Sequence, residues 1–384
     1  MDPSRTPRTW MLGTCLPLWG DRGYDKAHGG FVERFNLATG LADAPMKRLR
    51  VQGRQIYAFS HAHHLGWCPG GASSAMGALE FVRKNGWQPG RGWVRSLTTA
   101  GDVLDPAIDL YDNAFMLFAL GWLYRVTGDA AVATLARDSL EAIRKTLLRS
   151  DGLGYHPSTG ETQEWIQNPH MHLLEACLVL AESTNEGIYF DEARLIARLF
   201  REKFFDARTG TLAEYFDEQW NRMPGERGRI IEPGHQFEWA WLLSQYGRIV
   251  GEVMEDEADG LFRFAAAHGV DAHTGLVWSE VRDDGKILND NFRIWPQTEA
   301  LKARLAKLEG GDLTQKEAIS QTINRIFSCF LDEPERGLWV DLRDRRMNVI
   351  VDNVPASTLY HVFLAFAEAE RLRGAWASDE MQLR

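Results

Sequence analysis

Two stretches decide the architecture: Asp206-Ala-Arg-Thr-Gly210-Thr-Leu212 and Asp271-Ala-His-Thr-Gly275-Leu-Val277. Each places a Gly where the chain turns and follows it with apolar residues. The same signature recurs as Gly30-Phe31-Val32, Gly92-Trp93-Val94, Gly154-Tyr155 and Gly337-Leu338-Trp339. Successive glycines stand 62, 62, 56, 65 and 62 residues apart. Six units share 384 residues, roughly 64 each, which is room for two helices of about 15 to 20 residues and two loops. A period of this size signals repeated supersecondary units.

The segments between the turns have helical period. In Tyr189 to Phe205, residues Phe190, Ala193, Ile196, Ala197, Phe200 and Phe204 form one apolar stripe. Tyr111–Val126, Ala131–Leu148, His235–Val250, Ile294–Leu308, Thr314–Leu331 and Ser357–Arg373 read the same way. Period-two runs are short and fall in the connections. The fold class is therefore all-α, built of six helical hairpins. These hairpins can close into an (α/α)6 barrel or stack as an open solenoid. A solenoid needs polar terminal caps, and no end of the chain looks like one. A single (α/α)6 barrel over residues 1–384 is predicted. In such a ring the loops at one end surround a central cavity, so a site would draw residues from every hairpin.

Composition narrows the function. With 45% hydrophobic and 25% charged residues, the chain can bury a sizeable core. Its net charge of −10 argues against nucleic acid, which needs clustered Lys and Arg. No run reaches about 18 apolar residues, so no membrane partner is expected. Met1 to Pro17 lacks the apolar core of a signal peptide. Cys15, Cys68, Cys177 and Cys329 are far apart, which suggests neither a zinc site nor a disulfide framework. A reducing cytoplasm is the expected location. Of 14 Trp, most should be core. Trp93 and Trp339 belong to the repeating turns, while Trp239 and Trp295 are the candidates for a ring-binding pocket.

Several helix starts carry chemistry-bearing residues. Pro233 and Gly234 open a helix on which His235 and Glu238 share a face. The helix N-terminus there disfavours imidazolium, leaving His235 available as a base. Glu238 could orient that imidazole or hold a substrate hydroxyl. Asn168, His172 and Glu175 recur at one-turn spacing and suit a polyol. His170, His172 and Glu175 compete as metal ligands, but His170 and His172 diverge by about 200° on a helix. Arg54 offers a fork of donors suited to an enediolate oxygen. His61, His63 and His64 lack a carboxylate partner and read as a wet surface or barrel rim. Tyr111, Asp112 and Asn113 open another helix, and Trp295 and Glu299 flank Pro296, for stacking and hydroxyl binding. His361 is a lone His near the start of the last helix. There is no GxGxxG, P-loop or GxSxG pattern. Asp and Glu are plentiful, so counting alone leaves a glycosidase acid pair open.

These residues lie in motifs that resemble the N-acylglucosamine 2-epimerase family of sugar epimerases and isomerases: GGFVERF at 29–35, RVQGRQIYAFS at 50–60, LYDNAF at 110–115, NPHMHLLEA at 168–176, EPGHQFEWAWLL at 232–243, WPQTEA at 295–300 and STLYHV at 357–362. The resemblance implies an (α/α)6 barrel and proton transfer through a cis-enediol, with no metal and no cofactor. It implies that His235 and His361 face an open-chain sugar, with Arg54 beside O1 and O2. Tyr111, Asn168, His172, Glu238 and Trp295 match sugar-contacting positions. C2 proton abstraction falls to His361. His235 serves ring opening or protonation of the opposite face. Residues 232–243 and the Tyr360-His361-Val362 ending look most like the mannose isomerase branch. A D-mannose/D-fructose isomerase is thus expected, with D-lyxose/D-xylulose as a further pair. The alternatives are a 2-epimerase (mannose/glucose or N-acylglucosamine/N-acylmannosamine) and, below it, an (α/α)6 glycoside hydrolase. The expected partner is a monosaccharide, with room for a homodimer.

Overall fold

The computed structural model describes residues 6–160, 164–331 and 336–377. Six inner helices form a ring: α3 (Leu49–His64), α5 (Leu110–Thr127), α7 (Asn168–Thr184), α9 (Pro233–Val250), α11 (Ile294–Glu309) and α13 (Leu359–Arg371). Each packs on the next, and α13 packs on α3, which closes the ring and excludes the open solenoid. The outer helices are α4 (Gly71–Gly86), α6 (Ala130–Leu147), α8 (Gly187–Leu199), α10 (Glu255–His268) and α12 (Gln315–Phe330). The sixth outer position is filled from the N-terminus by α1 (Pro7–Trp10), a π-turn at Met11–Cys15 and α2 (Leu16–Asp21). Helix α1 packs on α13, and the short α14 (Arg373–Trp376) lies against α12. The first and last described helices therefore pack against the ring side by side with α12 and α13.

All seven expected helices are present within a residue or two of the predicted bounds. The apolar stripe of Tyr189 to Phe205 ends in a π-turn, Phe200–Phe204, rather than a straight helix. The strand-like pieces of the connections pair into small antiparallel sheets.

Every inner helix is preceded by one of the six glycine turns. All six glycines lie in the left-handed region, with φ of 75°, 122°, 80°, 68°, 71° and 65° in chain order, where Gly has no Cβ penalty. A second repeated device holds five of these turns. Near the start of the following inner helix a polar side chain reads the backbone just after the glycine. The Gln52 amide accepts from Phe31 N–H and donates to its carbonyl, both at 2.8 Å. Asn113 does so to Trp93, Gln236 to Leu212 and Gln297 to Val277. At the Gly154 turn His170 Nε2 accepts from Tyr155 N–H at 3.0 Å. Each clamp satisfies buried backbone groups that no long strand serves. It also fixes the turn against the helix start, and so fixes the side chains that the helix start aims inward.

Most Trp residues are core, as composition suggested. Trp93 donates to Ser139 Oγ at 3.0 Å, and Trp339 stacks on Trp19 at 5.1 Å between centroids. Trp239 is a correction. It is fully buried, donates to Gln167 Oε1 at 2.6 Å and stacks on Phe200, so it cannot reach a sugar.

Candidate active site

The N-terminal ends of the inner helices surround a cavity of about 240 Å³. Arg54, Tyr111, Asn168, His172, His235, Glu238, Trp295 and His361 all reach its wall. These eight come from six helix starts, as a barrel requires. Glu232, Arg293, Ser357 and Thr358 complete the lining. Glu299 does not line it. It is wholly buried beneath, and its carboxylate meets His361 instead of open space. Direct hydroxyl binding by Glu299 is therefore corrected: it supports a histidine.

The two histidines are built differently. His235 Nδ1 lies 2.9 Å from Glu214 Oε2 and 3.7 Å from Glu232 Oε2. Burial alone would lower its pKa, but Glu214 and Glu232 outweigh that and raise it to about 10. The expectation that the helix N-terminus keeps this ring neutral is thus overturned. A half-charge at the helix end is weaker than two nearby carboxylates. Nε2 lies 3.1 Å from Asn168 Nδ2, itself a donor, and an imidazolium Nε2–H is accepted there when the amide turns its otherwise unpartnered Oδ1 to the ring. His361 goes the other way. Burial first, then the charges of Arg54 and Lys302, hold its pKa well below the usual value. Its Nδ1 sits 2.7 Å from Glu299 Oε1, leaving Nε2 for the cavity. Environment thus drives two residues of the same type in one cavity toward opposite charge states.

Trp295 lies against both rings, with centroids 5.0 Å from His235 and 5.5 Å from His361. Gly234 makes room for it, since a Cβ there would come within 2.5 Å of the indole. Arg54 donates to the Tyr111 hydroxyl at 2.6 Å and to the Ser357 carbonyl at 3.3 Å, and its guanidinium rests on Phe115 at 4.1 Å from the centroid. This fixes a cation at the wall. His172 Nδ1 lies 3.2 Å from Glu175, which also accepts from the Tyr360 hydroxyl. Glu238 is only 2% exposed, and neither carboxylate oxygen has a protein partner. A buried, unpaired carboxylate facing a cavity is costly unless a ligand completes it. Of the two roles predicted for Glu238, orienting His235 belongs to Glu214, a residue sequence reasoning missed. Glu214 stands four residues after Gly210, and its signal is a charged residue among apolar ones in a repeating turn.

Among the described residues, two groups could hold a metal: Glu214, Glu232 and His235, and Glu238, Glu299 and His361. In each, the histidine Nδ1 already lies at hydrogen-bond distance from a carboxylate, so ring nitrogen and carboxylate serve each other there. His170 faces the Gly154 turn, apart from His172, as their helical divergence predicts. The histidine run divides. His61 is buried and stacks on Trp122 at 3.9 Å, while His64 is exposed. The wet-rim expectation fails for His61 because Trp122 covers it. A larger cavity of about 580 Å³ lies among the C-terminal halves of the inner helices, near His61, Trp122 and Trp241. Among its lining arginines, Arg125 and Arg248 are paired with Glu182, and Arg371 with Glu368.

A family model described as N-acylglucosamine 2-epimerase matches residues 29–365. A Rhizobium meliloti (strain 1021) protein named mannose-6-phosphate isomerase is 34% identical, with 94% of this chain and 95% of its own length covered. Rattus norvegicus N-acylglucosamine 2-epimerase is 24% identical, with coverage of 95% and 90%. A crystal structure of D-mannose isomerase superposes with a TM-score of 0.86 at 20% identity, covering 96% of this chain and 98% of that one, which shows a shared fold. No described helix is long and apolar enough to cross a membrane.

Proposed function

Because the chain belongs to the N-acylglucosamine 2-epimerase family, we propose that it is a metal-independent aldose–ketose isomerase acting on D-mannose and D-fructose, with D-lyxose and D-xylulose as a second pair. The observation that carries this reading is the pair of histidines on one cavity wall with pKa values driven in opposite directions. His235, as imidazolium, gives its proton to the ring oxygen as the C1–O5 bond breaks, and recovers one from the O1 hydroxyl as the C1 carbonyl forms. His361, neutral, takes the C2 proton through Nε2 and returns it to C1, while the O2 hydroxyl proton passes to O1. Arg54 faces the oxygens that gain charge in the cis-enediolate. Trp295 covers the chain of the open sugar, and Glu238, with Tyr111, Asn168 and His172, takes its hydroxyls. One base working on one face yields the ketose. Return of a proton to C2 from the opposite face would instead yield the 2-epimer.

The carboxylates on and behind the wall favour an uncharged sugar over its 6-phosphate, since Glu214, Glu232 and Glu238 would repel a dianion. The same reading puts the enzyme in the cytoplasm, where its four free cysteines stay reduced, as one catalytic domain and a homodimer. Light scattering tests the assembly. The decisive assay uses EDTA-treated protein in D2O with D-mannose and, separately, mannose 6-phosphate. Fructose from mannose alone, with deuterium at the transferred position below one equivalent, supports the proposal. Glucose without fructose, ketose from the phosphate only, or loss of all activity with EDTA would sink it.

A further inference from the structure

Lys302 belongs to no motif singled out by sequence, yet it is completely buried one turn after Glu299 on α11. Its Nζ lies 2.7 Å from Glu299 Oε2, while the other oxygen of that carboxylate meets His361 Nδ1 at 2.7 Å. The ammonium also rests 4.1 Å from the Trp241 ring centroid, which holds it on this line. Lys302, Glu299 and His361 thus form a chain that starts in the core and ends at the cavity. A buried Lys is costly, and burying one beneath a working histidine calls for a reason.

We propose that Lys302 is a positioning residue that keeps Glu299 ionised, so that the His361 proton stays on Nδ1 and the Nε2 lone pair faces the sugar. The chemistry follows from what Glu299 can do in each state. As a carboxylate it accepts from Nδ1–H. As a carboxylic acid it donates to Nδ1, which moves the ring proton to Nε2 and removes the base from the cavity. Burial first, and then the nearby Glu238 carboxylate, raise the Glu299 pKa well above the usual carboxylate range, and Lys302 is the cation that opposes them. The other charged and titratable groups facing this chain are Glu175 and His172 of α7, His235 and Glu238 of α9, Tyr360 of α13 and Arg54 and Tyr57 of α3. Among them Lys302 alone makes an ion pair with Glu299 besides that of His361.

The proposal rests on the isomerase reading, so the wild-type pH profile is measured first. A wild type that does not convert mannose fails that reading. With an active wild type, Lys302→Met tests the inference. Loss of the cation raises the pKa of both Glu299 and His361, so the acid limb of kcat must move up. A shift of about one unit means about tenfold lower kcat on that limb, recovered as pH rises, with KM nearly unchanged. Adding Lys302→Met to Glu299→Gln should cost less than about twofold more, because the two act as one unit. An unmoved limb, or equal losses in both backgrounds, overturns the proposal. If Lys302→Met does not fold, Lys302→Arg keeps the charge and must keep the wild-type limb; a displaced limb there overturns it equally.

Discussion

Replacing Glu214 with Gln isolates the charge that makes His235 an acid. The side chain keeps its size and can still accept from Nδ1–H, so the ring orientation survives. What disappears is a negative charge 2.9 Å from Nδ1. Two unit charges about 4 Å apart attract by about 4 kcal/mol at an effective dielectric of about 20, or about 3 pKa units. His235 stands at about 10 with Glu214 in place. Without it the ring should titrate near about 7, with Glu232 still 3.7 Å away to support it. The sign follows from the role. The acid form of His235 is needed, so a lower pKa removes activity as pH rises. The wild type should hold kcat/KM for mannose well into the alkaline range, whereas Glu214→Gln should decline through about pH 7 to 8 and keep most activity near pH 6. Initial rates of fructose formation across that range provide the assay, with circular dichroism to confirm folding. A basic limb that stays put in the variant would refute the charge argument. A uniform loss at all pH values would mean that Glu214 is only structural. Folding gives an independent check. A raised pKa stabilises the native state fully below about pH 6.5 and ever less as pH climbs toward about 10. The gap in Tm between wild type and Glu214→Gln should therefore narrow with rising pH.

Three further outcomes are expected. His361→Ala should end exchange of the C2 proton with solvent and lower kcat by about 10²- to 10⁴-fold, read by proton NMR of mannose in D2O; exchange at the wild-type rate would remove His361 from the reaction. Gly234→Ala pushes a Cβ into Trp295, so KM should rise several-fold while Tm falls little, and a wild-type KM would show that Trp295 does not touch sugar. Trp239→Ala empties a core position and should cost about 3–5 kcal/mol of stability, read by denaturant unfolding, whereas Trp295→Ala should cost much less but raise KM.

The helices, the six turns and the ring they imply were legible in the chain because they rest on local rules. Apolar spacing of 3.6 residues and a glycine at positive φ depend on neighbours in sequence. Eight of the nine candidate site residues reached the cavity for the same reason: each stands at a helix start, and a barrel gathers helix starts. Even Trp295 could be separated from the other tryptophans, though Trp239 could not, because only packing shows that Phe200 and Gln167 enclose it.

Charge states were not legible, and the reason is distance through space. His235 owes its proton to Glu214, 21 residues away on another connection, and that carboxylate overrides the helix-end rule that sequence supports. His361 owes its neutral ring to burial and to cations on α3 and α11, and its orientation to Glu299, 62 residues earlier. Lys302 carries no signal in a linear reading, since a lysine on a helix is usually solvated. The sequence by itself determined a closed ring of six hairpins with histidines at its mouth. Only the tertiary structure decided which histidine is driven toward the charged ring and which toward the neutral one, because electrostatic energy depends on separation and burial rather than on order along the chain.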